Sequence, residues 1–188
     1  MTPETIISIF LGIGLAASVG FRVFVPLFAL SLASYFNVWE LNESWQWIGS
    51  LAAVITLGVA TVVEIFAFYI PYIDNILDTI AVPLAAVAGT AVMVSTVADL
   101  SPVVTWSLAI IAGGGTAAAI KGTSGATRLT STATTGGLGN PIVSTVETGT
   151  SIVMSALSIF LPIIAIIGVV LILMVIFWLY RKIRPRRD

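Results

Sequence analysis

The chain has 188 residues, of which 58% are hydrophobic and 9% are charged, whereas about a quarter are charged in ordinary soluble domains. So little polar surface excludes a water-soluble globule, and the apolar runs are long enough to cross a bilayer. The absence of His and Cys excludes imidazole and thiolate chemistry, including haem, iron–sulfur and disulfide sites. We therefore expect an all-α, polytopic membrane helix bundle of five to six spans that carries no cofactor.

The first apolar run, about residues 6–36, is longer than the roughly twenty residues that cross a bilayer. We expect a break near Pro26, because a proline cannot donate to the carbonyl four residues earlier, which belongs to Arg22. Gly20 adds backbone freedom. Such a break places a buried cation beside a freed backbone acceptor. The alternative is an ordinary proline kink with the arginine reaching to the interface.

An acidic loop and a second span follow. Glu40 and Glu43 lie among tryptophans, which are typical of the membrane interface. The second span, about residues 45–70, carries Glu64 within its last two turns. An ionisable side chain at that depth must find a partner or a wet cavity.

Two carboxylates, Asp74 and Asp78, follow Pro71 at a spacing of four residues. In a helix they project from one face beside each other, where such a pair binds a cation or shares a proton. The same residues would also suit the start of a helix just after the proline, because acidic side chains offset the helix dipole there. Both interpretations stay open. We expect the third span at about 81–98 and the fourth at about 103–120.

The segment from 113 to 151 departs from this pattern, because it is rich in Gly, Ser and Thr. It is too polar for a lipid-facing helix and unusually long for a loop, so we expect a re-entrant or broken-helix element buried among the other spans. Lys121 and Arg128 share a face if this part is helical, and residues 122–125 between them would offer backbone amides to an anion. The last apolar stretch, about 152–180, is again too long for one straight crossing.

Basic residues crowd the C-terminal end, where five of the eight lie in the last eight positions. Basic residues flank the cytoplasmic ends of membrane spans, so we expect a single transmembrane domain at residues 1–180 and a basic cytoplasmic tail at 181–188. This topology predicts an integral protein of the bacterial inner membrane. The tail suits a topology anchor with some affinity for anionic lipid, and no nucleic-acid partner is implied.

Seven charges remain at or near membrane depth, three basic and four acidic. They are Arg22, Glu64, Asp74, Asp78, Lys121, Arg128 and Glu147. At roughly 3 kcal/mol each, lipid-facing positions would cost on the order of 20 kcal/mol in total, so these side chains must pair or line a wet cavity. Ionisable residues inside membranes usually mark a pathway or a binding site. The alternative is a set of ion pairs that only holds the helices together.

A loose internal repeat connects the two halves of the chain. Segments 20–26 and 121–128 each combine a base with glycine or proline, and each is followed by a proline with polar residues at similar spacings, at 71–78 and 140–148. This pattern predicts a 3+3 inverted repeat, in which the site lies between discontinuous helices. The small residues of segment 113–119 permit close helix contact, so we also expect a homo-oligomer.

The motifs that carry a family resemblance cover nearly the whole chain apart from the basic tail. They are Gly20-Phe21-Arg22 with Val25-Pro26-Leu27, Glu64, Ile70-Pro71-Tyr72-Ile73-Asp74-Asn75 with Asp78, Lys121-Gly122 with Arg128, and Gly139-Asn140-Pro141 with Ser144 and Glu147. With these motifs the chain resembles a family of small bacterial multi-pass membrane proteins catalogued only as a domain of unknown function. The resemblance implies that the polar positions belong together, and it carries no activity. In that family an acidic residue is common where this chain has Thr148, which argues against a strict second carboxylate pair.

These observations favour a channel or secondary transporter for a small ion or polar solute, embedded in the lipid bilayer, with a buried polar site at discontinuous helices. The expected binding residues are Arg22, Glu64, Asp74, Asn75, Asp78, Lys121, Arg128, Asn140, Ser144 and Glu147. The expected structural breaks lie at Gly20, Pro26, Pro71, Gly122 and Pro141. The carboxylates would serve as cation or proton sites, and the bases as their counter-ions or as an anion-attracting site.

Two other functions remain open at this point. The first is an intramembrane enzyme or flippase for a lipid phosphate, in which the three bases hold the phosphate and Asp74 or Asp78 holds a metal. The second is a non-catalytic assembly protein whose charges are structural. We expect no enzyme and no catalytic residue, and whether a metal binds stays unknown from the sequence.

Overall fold

The computed structural model describes residues 2–70, 73–98 and 100–183, without the side chains of Asn75 and Ile183. Regular structure within these ranges is helical. The elements are α1 (Pro3–Phe21), α2 (Phe24–Tyr35), a 3₁₀ helix (Glu43–Gly49), α3 (Leu51–Ala67), α4 (Ile73–Thr96), α5 (Pro102–Leu108), a π-helical turn (Ala109–Gly114), α6 (Gly115–Thr135), α7 (Asn140–Phe160) and α8 (Pro162–Ile183). The expected break at Pro71 and the tail beyond residue 183 lie outside the described residues.

Five helical segments in the described part are long and apolar enough to cross a membrane. They are α1, residues 76–96 of α4, the continuous run from Pro102 to Thr135, α7, and residues 162–182 of α8. A sixth span results if the 3₁₀ helix and α3, bent by 64°, count as one. The prediction of an all-α bundle of five to six spans is therefore confirmed, and α2 is too short, at 12 residues or about 18 Å, to cross alone.

The Gly-, Ser- and Thr-rich segment forms a hairpin of two helices, α6 and α7, and its re-entrant placement in a membrane stays a prediction. α6 and α7 meet at a turn in which Gly136 and Gly137 have positive φ, and α5, the π-helical turn and α6 form one run of 34 residues. Hydroxyls of α6 donate to carbonyls four residues earlier, as Thr123 does to Ala119, which satisfies polar groups inside a helix. The amides of residues 122–125 lie within this helix, so the expected anion nest does not form.

The ends of the bundle are defined by contacts that bring distant segments to the same level. At one end, called here the loop end, the backbone amide of Asn42 donates to Ser95 O at 3.0 Å. Trp39 Nε1 donates to Ile159 O at 2.9 Å, and the amide of Ala98 donates to Ser8 Oγ at 3.2 Å. α4 and α7 therefore finish at the loop end and α1 begins there. α8 begins at the loop end as well and finishes at the opposite end, called here the tail end.

The half of the bundle near the loop end has an apolar core. Leu11, Leu15, Leu30, Val92 and Ile159 are among its buried members. Helices approach closely through small residues: a Cβ on Gly113 would lie 2.6 Å from Gly89 O. Such contacts need glycine on both helices.

Part of the small-residue run that favoured a homo-oligomer packs inside the chain, whereas Gly115 and Ala119 are exposed. Gly113 and Gly114 face α4, where a Cβ would meet Gly89 and Thr90, and Ala117 is fully buried. These residues contribute to intrachain packing, so the homo-oligomer stays a prediction without their support.

The two repeated motifs start helices that run in the same direction. α4, which carries Asp74 and Asp78, and α7, which carries Ser144 and Glu147, both begin towards the tail end and finish at the loop end. The matching motifs therefore lie on two helices, α4 and α7, that are parallel to each other. An inverted relation between whole halves stays a prediction that these motifs do not support.

Candidate functional site

Phe68 is the centre around which the buried bases gather. It follows the last residue of α3 and is 4% exposed. Arg22 Cζ, Arg128 Cζ and Lys121 Nζ lie 4.2, 4.4 and 4.8 Å from the centroid of its ring. An aromatic face attracts cations, most strongly where water is excluded. One phenyl ring thus contacts three bases from α6 and from the break after α1.

The break between α1 and α2 is closed by a carboxylate from α3. Arg22 has extended backbone, with φ −139° and ψ 130°, and α2 begins at Phe24. Glu64 Oε1 accepts from the Val23 amide at 2.8 Å and Oε2 accepts from the Phe24 amide at 2.9 Å. A helix start leaves backbone donors without intrahelical partners, so Glu64 caps α2 from a neighbouring helix.

This geometry confirms the predicted break and corrects its details. Pro26 lies in the first turn of α2, where its missing N–H removes no intrahelical bond. The groups that needed partners are therefore amides, whereas a freed carbonyl acceptor was expected. Arg22 is fully buried, so the alternative of an arginine that reaches to the interface is wrong.

Arg22 anchors this break to α7. Its Nε donates to Thr148 Oγ1 at 3.0 Å, and its Nη2 donates to Ser144 O at 3.0 Å. The same Nη2 lies 3.6 Å from Glu147 Oε2. Three successive contacts on one helix face fix the guanidinium in place.

Glu147 is shared by two guanidiniums. Besides the ion pair with Arg22, it accepts from Arg128 Nε at 3.2 Å and from Arg128 Nη2. Ser124 Oγ also donates to it. Arg128 Nη2 further donates to Ser144 Oγ at 3.1 Å, and Ser144 Oγ donates to Phe68 O at 3.2 Å. These bonds connect α6, α7 and the end of α3 in one polar network.

The two aspartates of α4 have different partners. Asp74 lies in the first turn of the helix, and its Oδ2 accepts from Asn140 Nδ2 at 3.0 Å. Asp78 Oδ1 lies 4.0 Å from Lys121 Nζ, and Asp78 Oδ2 lies 3.9 Å from Arg128 Nε. Asp74 therefore fits the helix-start interpretation, whereas Asp78 faces the bases. Within the described residues no group of three acidic side chains is placed to hold a metal ion.

Three buried side-chain atoms of the described residues lack a hydrogen-bond partner: Arg22 Nη1, Asp78 Oδ1 and Arg128 Nη1. All three belong to the group around Phe68. Buried polar atoms are satisfied in the great majority of cases, and each exception asks for an explanation. A ligand that supplied the missing partners would be such an explanation.

Cavities reach this group from three sides. One of about 510 Å³ lies among α6, α7 and α8 and touches Ser124 and Glu147. One of about 560 Å³ lies between α4 and α6 over Asp78, Lys121 and Arg128. One of about 300 Å³ lies between α3 and α4 and is lined by Glu64, Phe68 and Lys121 among others. The group is buried but not enclosed.

The predicted residues mostly converge. We call the following set the Phe68 cluster: Arg22, Glu64, Phe68, Asp78, Lys121, Arg128, Ser144 and Glu147. Asp74 and Asn140 form a separate hydrogen-bonded pair, which Thr132 Oγ1 extends at 3.1 Å from Asn140 Nδ2. The side chain of Asn75 lies outside the described residues.

Two of the expected breaks are not breaks. Gly20 lies in the last turn of α1, where a Cβ would come within 2.6 Å of Ile120, so its role is close packing. Gly122 lies inside α6 and faces open space. Pro141 begins α7 in its first turn, as expected of a proline at a helix start.

Sequence reasoning missed four contributors to these contacts. Phe68, Ser124, Thr132 and Thr148 were not among the predicted site residues. The available signal was spacing: Phe68 follows Glu64 by one helical turn, and Ser124 lies between Lys121 and Arg128 on the same face. A serine seam was also missed, in which Ser18 Oγ contacts Ser151 Oγ at 2.9 Å and Ser155 Oγ at 2.7 Å.

The fold and the cluster together define a class. The chain is a multi-helical protein whose apolar helices suit a membrane and in which six charged side chains meet in one buried network. Residues 9–182 match the family described as Domain of unknown function (DUF4126), and the chain belongs to that family. No curated protein and no solved structure matches the chain.

Proposed function

We propose that the protein is a channel or secondary transporter for a small ion or polar solute, and that the Phe68 cluster is its binding site. The observation that carries the proposal is the convergence of six charged side chains, from segments far apart in sequence, around one phenyl ring. Ionisable residues at membrane depth usually belong to a pathway or site.

A purely structural set of ion pairs explains the cluster less well. Structural pairs bury charge with complete hydrogen bonding, because each unsatisfied group is expensive. Here Arg22 and Arg128 share one carboxylate, and each keeps one Nη1 atom without a hydrogen-bond partner. Asp78 approaches its bases only to 3.9 and 4.0 Å. The cluster therefore keeps hydrogen-bonding atoms that a bound ion or solute could satisfy.

Access to the cluster is asymmetric. Glu147 lies about 20 Å along α7 from its end at Phe160, at ~1.5 Å per residue, and the intervening half of the bundle has a packed apolar core. Three cavities open beside the cluster, whereas the cavity of about 490 Å³ among α2, α3 and α7, nearer the loop end, has no cluster residue in its lining. This arrangement suits a state that is closed towards the loop end. Transport would require a second state in which the apolar half opens.

Orientation follows from charge. Arg181 and Lys182 lie in the last turn of α8, at the tail end, and basic residues favour the cytoplasmic side. We place the tail end in the cytoplasm and the protein in a bacterial inner membrane. In that orientation the Phe68 cluster lies in the cytoplasmic half of the membrane.

Flux measurements in proteoliposomes test the proposal. Lys121→Met removes a buried cluster charge while keeping a long apolar stem, and Lys182→Met is the matched control because Lys182 is exposed. Across a panel of monovalent and divalent ions and small organic acids, wild type and the control should carry one solute that Lys121→Met does not. Size-exclusion profiles must show that all three proteins are folded. Equal flux of Lys121→Met and wild type for every solute would contradict the proposal.

A flippase for lipid phosphate is the second candidate. Its support is the cavity of about 510 Å³, whose lining is mostly apolar side chains of α6, α7 and α8 and which reaches Ser124 and Glu147. Such a cavity fits an acyl chain with its head at the charges. Movement of fluorescently labelled anionic lipids between leaflets, measured by quenching from outside, distinguishes this function from solute transport.

A further inference from the structure

The groove between α4 and α6 has open space directly above charged side chains. We call it the α4–α6 groove, and its lining includes Asp78, Thr79, Val82, Lys121, Gly122, Gly125, Arg128 and Leu129. A Cβ added at Gly122 or Gly125 would meet nothing within 4 Å. The two glycines therefore contribute no packing there, and their lack of side chains keeps the volume of about 560 Å³ open.

The charged part of the groove has more cation than anion. Lys121 is 2% exposed and Arg128 is 2% exposed, and Asp78 is the carboxylate that lines the groove with them. Glu147, the nearest other acid, is shared between Arg22 and Arg128. Both oxygens of Glu64 accept backbone amides. The lining of the groove therefore carries two cations and one anion, whereas the whole cluster is balanced, with three bases and three acids.

The hydrogen bonding of these groups is incomplete on both sides. Asp78 lies 4.0 Å from Lys121 and 3.9 Å from Arg128, which is beyond hydrogen-bond distance. Asp78 Oδ1 and Arg128 Nη1 are buried without a hydrogen-bond partner. At this distance Asp78 offsets positive charge but accepts no hydrogen bond from Lys121 or Arg128.

We propose that the α4–α6 groove binds a phosphate-type oxyanion, with Lys121 and Arg128 as its donors and Asp78 as a competing internal anion. A guanidinium and an ammonium are the usual partners of phosphate oxygens. The oxyanion would accept the hydrogen bonds that Asp78, at 4.0 and 3.9 Å, does not accept from Lys121 and Arg128. This inference deepens the proposed function by naming a substrate class for the same site.

A divalent cation fits the groove less well. Hard cations prefer several carboxylate or carbonyl oxygens, whereas Asp78 lies between two bases. Mutation of Asp78 therefore distinguishes the two ligands by the sign of its effect. Loss of the carboxylate removes a ligand of a cation but a competitor of an anion.

The phosphate can come from solution or from a lipid headgroup. The rim of the groove includes Leu129, 70% exposed, and Val82, 38% exposed, which would face acyl chains in a membrane. Binding of inorganic phosphate to purified protein, measured by calorimetry, tests the first source. Native mass spectrometry with phosphatidic acid, against diacylglycerol as the lipid that lacks phosphate, tests the second.

The experiment compares four forms of the full chain. Asp78→Asn should bind the oxyanion about tenfold more tightly than wild type, because a buried negative charge near the site is removed. Lys121→Met should bind at least tenfold more weakly. Asp74→Asn is the control on the same helix, since Asp74 bonds to Asn140 and lies outside the groove lining, and its affinity should rise much less than that of Asp78→Asn.

The outcomes separate this inference from the proposed function. Tighter binding of inorganic phosphate by Asp78→Asn supports a soluble substrate, and selective retention of phosphatidic acid supports a lipid. Failure of folded wild type and Asp78→Asn to bind either probe overturns the inference, as does weaker binding by Asp78→Asn. These measurements need no flux: oxyanion binding without transport would refute only the proposed function, and transport without oxyanion binding would refute only this inference.

Discussion

The two halves of the bundle consist of similar helices, but one half has an apolar core and the other holds the buried charges. Near the loop end, Gly89 and Gly113 bring α4 against the π-helical turn, apolar side chains form a core, and the cavity of about 490 Å³ among α2, α3 and α7 has no charged residue in its lining. Near the tail end, charged side chains keep the helices apart, and grooves remain between them. Dispersion and close packing stabilise the first half, whereas ion pairs and cation–π contacts stabilise the second. The comparison is the reason why the proposed binding site is placed in the polar half.

The largest effect is expected where one carboxylate serves two guanidiniums. Glu147→Gln leaves Arg22 and Arg128 buried without a full counter-charge, so we expect a loss of about 3–5 kcal/mol in the free energy of unfolding. Steric trapping in bicelles measures this value. Glu40→Gln, at an exposed acid near the loop end, is the control. If both variants were equally stable, the polar half would not depend on the network.

The apolar half should respond to added volume. A Cβ on Gly113 meets Gly89 O at 2.6 Å, whereas one on Gly122 meets nothing within 4 Å. Gly113→Ala should therefore lose about 1–3 kcal/mol through overpacking, while Gly122→Ala, in the same continuous helix, should not be destabilised. Thermal unfolding of both variants in detergent gives the comparison. Equal midpoints of thermal unfolding would contradict the expectation that the half near the loop end is too tightly packed to accept a methyl group at Gly113.

Glu64 connects the two halves, and its loss should act locally. Glu64→Gln keeps one acceptor oxygen but places an NH₂ group against a backbone donor, so we expect the cap to weaken by about 1–2 kcal/mol. Hydrogen exchange at the amides of Val23 and Phe24 should accelerate accordingly. Glu43→Gln, on the exposed 3₁₀ helix, serves as control. Unchanged exchange at both amides would contradict the cap.

The serine seam should give the smallest effect. Ser151 Oγ donates to Ser18 O at 3.1 Å, and the hydroxyl oxygens of Ser18 and Ser151 lie 2.9 Å apart. Hydrogen bonds between membrane helices average about 0.6 kcal/mol, so Ser151→Ala should lose roughly that amount. A double-mutant cycle with Ser18→Ala isolates the pair, with the exposed Ser107→Ala as control. A coupling energy of zero would mean that the hydrogen bond between the two serines does not stabilise the fold and that their side chains only allow the helices to pack closely.

Much of the fold follows from the lengths of the apolar runs. Runs longer than one bilayer crossing had to be broken; one break falls after Phe21, near Pro26, which predicted it, and another falls at Leu161. The segment around Gly122 could not be predicted correctly, because threonine hydroxyls bond to the preceding helical turn and hold a helix that composition alone disfavours.

The site could be predicted in content but not in arrangement. Burial of charge in a membrane requires partners, so the convergence of Arg22, Lys121 and Arg128 follows from composition and position. The aromatic ring beneath them does not, because Phe68 is one of nine phenylalanines in an apolar chain. Which carboxylate meets which base depends on how helices far apart in sequence pack, and local spacing contains no such information.

The bond from Glu64 to the start of α2 has a mechanical consequence. Because two backbone amides at the break donate to a side chain of α3, α2 and α3 are held together at this point. The extended backbone at Arg22 separates this pair of helices from α1, and Glu64 holds the pair together. Swinging α2 without α3 would leave two amides bare in an apolar surrounding, so any opening of the bundle at this point must move both helices as a unit.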